Sequence, residues 1–136
     1  MESFGKIAIV TAASRGIGTA CARALKARGY RLAVMSRSER IHDIAQELDA
    51  LAVQGSVSVQ ADLERLVRET HACYGRIDAV VNNSGHPAGG ELLSIPDEQW
   101  QEVFEMYVQS VIRMSQLVTP IMLAQGGGAF VNISGS

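Results

Sequence analysis

Thr11-Ala12-Ala13-Ser14-Arg15-Gly16-Ile17-Gly18 is a glycine-bearing turn between two stretches of different hydrophobic period. Before it runs Lys6-Ile7-Ala8-Ile9-Val10, a short apolar and partly β-branched stretch that predicts a buried parallel strand. After it Ile17, Cys21, Ala24 and Leu25 recur at helical spacing as far as Arg28, and Gly29 ends the pattern. A strand, a glycine turn and a helix in that order make a place for a phosphate group. The helix start offers unpaired N–H donors and the positive end of the helix dipole, and glycine lets a pyrophosphate approach the backbone.

The next stretch, Arg31-Leu32-Ala33-Val34-Met35-Ser36, predicts a second buried strand, followed by Ser36-Arg37-Ser38 at its tip. In nucleotide-binding sheets a carboxylate at this point takes the ribose hydroxyls of NAD, whereas a cation accommodates the 2′-phosphate of NADP. No carboxylate stands here. A guanidinium between two hydroxyls suits a phosphate dianion, and Arg15 in the turn adds a second positive charge. The expected cofactor is therefore NADP(H) rather than NAD(H).

A chain of 136 residues suffices for one core, and the expectation is one dinucleotide-binding domain over residues 1–136. A formal charge of −2 gives no reason to expect a nucleic-acid partner. No apolar run has the length of a membrane span, and the start lacks a signal-peptide pattern. Two cysteines fit a reduced, cytoplasmic setting better than a disulfide framework. No His/Cys cluster has metal-ligand spacing.

Ile41, Ile44, Ala45 and Leu48 mark a short amphipathic helix, and Ala50 to Gln54 a third strand. Asp62 is followed closely by Leu66, Val67 and Thr70, which makes it a first-turn carboxylate of a helix running to Tyr74, with Ser58 as its expected N-cap. Gly75 ends that helix, and Ile77-Asp78-Ala79-Val80-Val81 leads as a fourth strand into Asn82-Asn83-Ser84-Gly85. His86 follows in a loop, where a plain surface role is expected ahead of contact with substrate. From Pro96 one long helix is expected to reach Gln125. Trp100, Val103, Phe104, Tyr107, Val111, Met114, Val118 and Ile121 make its apolar stripe, widened by Val108, Ile112 and Met122. Gly126-Gly127-Gly128 then leads to a fifth strand from Ala129 to Ser134.

The turn resembles the TGxxxGxG pattern of the short-chain dehydrogenase/reductase family, with Gly16 and Gly18 matching and Ala12 standing for the first glycine. Asn82-Asn83-Ser84-Gly85 resembles its NNAG, with Ser84 for alanine. The resemblance covers the whole chain. It implies an α/β, Rossmann-like doubly wound parallel sheet of strand order 3-2-1-4-5 with helices on both faces. The first two helices would cover one face and the next two the other, placing Cys21 and Cys73 on opposite sides. Cofactor would bind where the strand order reverses. The implied binding set begins with Thr11, Ala13, Ser14, Arg15, Gly16, Ile17 and Gly18 in the turn, and Ser36, Arg37 and Ser38 at the second strand. Ser56 takes the position where the family often has an adenine-contacting aspartate. Asn82, Ser84 and Gly85 follow along the cleft, with Asn82 also bracing the sheet. The long helix, over about residues 97–124, would form a homodimer or homotetramer interface.

The family's chemistry is hydride transfer between nicotinamide and a ketone or secondary alcohol. A tyrosine acts as acid and base beside a lysine four residues later, a serine holds the substrate oxygen, and a helix asparagine supports a proton relay. In this chain the asparagine position falls at Tyr107 and the serine position at Gly135, flanked by the candidates Ser134 and Ser136. Tyr107 has Val111, not lysine, four residues on. The Tyr-x-x-x-Lys pair is expected downstream, and an uncovered apolar edge strand is an aggregation hazard. The expectation is thus the N-terminal part of a longer protein. Three readings follow: an NADP(H)-dependent oxidoreductase whose catalytic half lies elsewhere, a dinucleotide-binding protein without catalysis, or an interaction module on the same fold.

Overall fold

The computed structural model describes residues 5–87 and 89–134. Five strands form one parallel sheet in the order β3-β2-β1-β4-β5: β1 Ile7–Thr11, β2 Arg31–Ser36, β3 Leu51–Gln54, β4 Ala79–Asn82 and β5 Ala129–Asn132. Between them run α1 Gly16–Ala27, α2 Arg40–Leu48, α3 Gln60–Tyr74, α4 Asp97–Phe104 and α5 Ser110–Gln125. The expected order is the observed one, and it reverses between β1 and β4, which pair Ala8 with Ala79 and Val10 with Val81.

Strand parity divides the core into two layers. Ile9, Ala33, Met35 and Val80 face one way, against Leu63, Leu66 and Val67 of α3 and Met114, Val118 and Met122 of α5. Ala8, Val10, Leu32 and Val34 face the other, against Ala22 of α1 and Ile41, Ile44 and Leu48 of α2. Because both faces are covered, the central strands read as continuous apolar runs rather than as alternations. Cys21 packs on the α1–α2 layer while Cys73 sits exposed on α3, and both are free thiols, as the topology requires.

Asp78 fastens the lower ends of three strands. Its Oδ2 accepts the Ile7 N–H at 2.8 Å, its own N–H donates to the Ile7 carbonyl at 2.8 Å, and its carbonyl accepts the Ala129 N–H at 2.9 Å. At the upper ends Asn82 Nδ2 donates to Asn132 Oδ1 at 2.9 Å, bracing β4 to β5.

Two local expectations are corrected. Ser58 does not cap α3: Val59 is the N-cap, and the Ser58 N–H instead donates to Ser56 Oγ at 3.2 Å, which keeps Ser58 in the preceding turn. The long helix is not continuous. A π-turn over Glu105–Gln109 separates α4 from α5, and Pro96 is the N-cap rather than a first-turn residue. The wider turn shifts the face presented before and after it. Met114, Val118 and Met122 are buried in the core, whereas Trp100, Phe104, Tyr107, Val108 and Ile112 lie on open surface, Phe104 at 53 % exposure. At the sheet edge β5 is similarly uncovered, with only Phe130 half-buried. No helix among the described residues is long and apolar enough to cross a membrane.

Candidate cofactor cleft

A cleft of about 540 Å³ opens at the carboxyl ends of the strands, where the order reverses. Its floor is the turn between β1 and α1. Gly16 there has φ +59°, a left-handed conformation suited to glycine. Gly18 is required for a different reason: a Cβ on it would run into the Ala12 carbonyl and the Asn83 side-chain nitrogen. Ala12, at the place of the family's first glycine, itself takes φ +49°. Helix α1 begins with no acidic residue in its first turn and no side-chain cap, and its first backbone bond is Thr19 N–H to the Arg15 carbonyl. The N–H groups before Thr19 are thus left to meet an anion.

Ser14, Arg15, Gly16 and Ile17 line this floor. Ser36, Arg37 and Ser38 at the tip of β2, Ser56 beyond β3, and Ser84 and Gly85 beyond β4 line the walls. The remaining expected residues stand behind the lining. The Thr11 hydroxyl donates to the Asn83 carbonyl at 2.8 Å and accepts the Asn83 N–H at 2.9 Å. Ala13 is fully buried, and its carbonyl accepts the Thr19 hydroxyl at 2.7 Å. Gly18 is buried, and Asn82 is turned to Asn132 within the sheet. Thr11, Ala13, Gly18 and Asn82 therefore shape the cleft without facing it. Of the two asparagines it is Asn83 that reaches the lining, its amide donating to the Ala12 carbonyl at 3.3 Å. Strand parity decides this, since adjacent residues leave a strand in opposite directions.

Gly55, Val57, Ser58, His86 and Met106 also line the cleft. His86 is exposed and sits at the mouth, so it belongs to the cleft as well as to the surface. Met106 comes from the π-turn, which continuous helical spacing did not foresee. Ser134 follows β5 with an exposed side chain and is not part of the lining; Gly135 and Ser136 lie outside the described residues.

The electrostatics are one-sided. Among the described residues the lining carries two guanidiniums, Arg15 and Arg37, and no carboxylate. Arg37 Nη2 reaches across the cleft to within 3.6 Å of where a Cβ on Gly85 would lie. The Ser36 hydroxyl donates to the Ser38 carbonyl at 3.2 Å, and Ser38 Oγ accepts the Arg40 N–H at 3.2 Å, which tightens the bend at the β2 tip. The Arg37 carbonyl is held by Gln54 Nε2 at 3.0 Å. No group of three or more potential metal ligands occurs among the described residues.

The arrangement fits a phosphate-rich dinucleotide: open N–H groups at a helix start, a backbone bared by Gly18, and two cations and several serines in the lining. Comparison with known proteins agrees. The short chain dehydrogenase family model matches residues 6–136. The chain is 36 % identical over 135 residues to dehydrogenase/reductase SDR family member 4 of Caenorhabditis elegans, an alignment covering 93 % of this chain and 52 % of that protein. It superposes with a TM-score of 0.90 at 29 % identity on L-sorbose reductase from Gluconobacter frateurii complexed with NADPH and L-sorbose, over 97 % of this chain and 53 % of that one. A variant of the actinorhodin polyketide ketoreductase with NADPH gives 0.89 at 34 % identity, over 96 % and 53 %. The chain spans about half the length of these relatives. With its sheet order, its glycine turn and a family match over nearly all of its residues, the chain belongs to the short-chain dehydrogenase/reductase family of oxidoreductases.

Proposed function

We propose that the protein is an NADP(H)-dependent oxidoreductase that moves hydride between the nicotinamide and a ketone or secondary alcohol. The observation that carries this reading is the β2 tip, where Arg37 stands between two serines and lines the cleft with Arg15, with no carboxylate among the described lining residues. A bare ribose diol is best held by an acceptor, whereas a 2′-phosphate is held by charge-assisted N–H donors. The NADPH in the sorbose reductase and ketoreductase structures supports the same choice.

When bound, the dinucleotide supplies the hydride. The residues of this chain bind and orient it. The N–H groups at the start of α1 and the hydroxyl of Ser14 meet the pyrophosphate, Arg15 and Arg37 the 2′-phosphate, and Ser84 and Gly85 guide the remainder towards β4. On this reading the acid and base correspond to the part of the relatives' length that this chain does not span. The open apolar surface of Trp100, Phe104, Val108 and Ile112 supports a homodimer or homotetramer through α4 and α5. A second reading, a dinucleotide-binding protein without catalysis, draws support from Tyr107 at the asparagine position.

Replacing Arg37 with Ala tests the proposal. NADPH affinity is expected to fall at least about tenfold while NADH stays within about threefold, since only the phosphate loses a charge-assisted partner. Equal losses for both cofactors would remove the case for NADP(H).

A further inference from the structure

The purine end of the cleft has an unusual wall. With the pyrophosphate at the start of α1 and the adenosine ribose at the β2 tip, strand order carries the base on past β3, to Gly55, Ser56, Val57 and Ser58. Adenine presents there a 6-amino donor and a ring-nitrogen acceptor. Among the described residues no carboxylate lines this wall.

A carboxylate lies one layer behind. Asp62, on the first turn of α3, reaches back six residues, and its Oδ2 accepts the Ser56 N–H at 2.9 Å. It presses so closely on Gly55 that a Cβ there would stand 2.9 Å from three of its atoms. Arg65 closes the other side, 4.0 Å from Asp62 Oδ1 and hydrogen-bonded to the Gln54 carbonyl. Within the turn, Ser56 Oγ accepts the Ser58 N–H at 3.2 Å and the Ser56 carbonyl accepts the Val59 N–H at 3.1 Å. That leaves the Ser56 hydroxyl with a lone pair and its proton, and the Val57 N–H with no partner among the described residues.

We propose that Asp62 is a positioning residue for the purine: from behind the wall it holds the Ser56–Val57 turn so that a hydroxyl and a backbone N–H, not a carboxylate, read the adenine edge. The inference rests on the dinucleotide reading above and deepens it. Its signature is selectivity for the base edge. A role in folding alone would weaken every nucleotide alike.

The test compares NADPH with its 1,N6-ethenoadenine analogue, whose extra ring blocks the amino group and ring nitrogen, by equilibrium titration of the protein. Wild type is expected to bind NADPH about tenfold more tightly than the analogue, the worth of one to two hydrogen bonds. Asp62→Ala should shrink that gap to less than about threefold, and Asp62→Asn, whose amide oxygen accepts the same N–H, should restore most of it. Should Asp62→Ala not fold, Asp62→Glu, which displaces the carboxylate by one methylene, must narrow the gap as well. A gap that survives these substitutions, or no gap in wild type, overturns the proposal while leaving the dinucleotide reading intact. A wild-type protein that binds neither nucleotide overturns both.

Discussion

The Tyr107 hydroxyl donates to the Gly85 carbonyl at 3.4 Å, joining the π-turn between α4 and α5 to the loop after β4. Gly85 lines the cleft, as do His86 and Met106, the chain neighbours of the two bonded residues. Tyr107, which the resemblance aligns with the family's relay asparagine, spends its hydroxyl on a backbone carbonyl.

Tyr107→Phe should therefore act on the loop more than on the fold. Loss of one long, partly exposed hydrogen bond is expected to cost no more than about 1 kcal/mol of stability. Amide hydrogen exchange at Gly85 and His86 should accelerate, with the core strands unchanged. Unaltered exchange in that loop would show that the bond does not restrain it.

The glycine turn makes two opposite predictions. Gly18→Ala places a Cβ against the Ala12 carbonyl, a backbone atom that cannot move aside, and should destabilise by about 2–3 kcal/mol and abolish dinucleotide binding. Ala12→Gly relieves a left-handed φ of +49° and should stabilise by up to about 1 kcal/mol, after allowance for the added freedom of the unfolded chain. Chemical denaturation of both variants checks the pair. A stable Gly18→Ala, or a destabilised Ala12→Gly, would contradict the turn geometry.

Acid stability should depend on Asp78. The Arg76 guanidinium, bonded to its carboxylate at 2.6–3.1 Å, and then the Ile7 N–H hold this carboxyl below its ordinary value, against partial burial that pushes it up. A carboxyl lowered in the folded state stabilises above its unfolded pKa of about 3.9, and that stabilisation is lost as the pH falls through the lowered value. The Tm difference between wild type and Asp78→Asn should be constant from about pH 5 to 7 and shrink below about pH 4. A difference independent of pH down to acid unfolding would contradict this.

How much of this was legible in the sequence varies by element. Strand β2 falls on Arg31–Ser36 as its apolar run predicts, and the sheet order follows from the resemblance carried by Gly16, Gly18 and Asn82-Asn83-Ser84-Gly85. The π-turn was not legible, because Glu105-Met106-Tyr107-Val108-Gln109 contains no helix breaker and its apolar spacing reads as helix. Which of Asn82 and Asn83 faces the cleft depends on where β4 ends, a boundary that hydrophobic patterning locates only to within a residue or two. Asp62 was recognisable as a first-turn carboxylate, but its bond to Ser56 depends on how tightly the chain turns between β3 and α3, and composition does not report that.

The central claim, a cleft built for a 2′-phosphorylated dinucleotide, is tested most directly by titrating the protein with NADPH and NADH side by side, following quenching of the Trp100 fluorescence or the heat of binding. NADPH should bind at least about tenfold more tightly than NADH, the margin that charge-assisted bonds to one phosphate supply. Equal affinity for the two, or binding of neither, would contradict it.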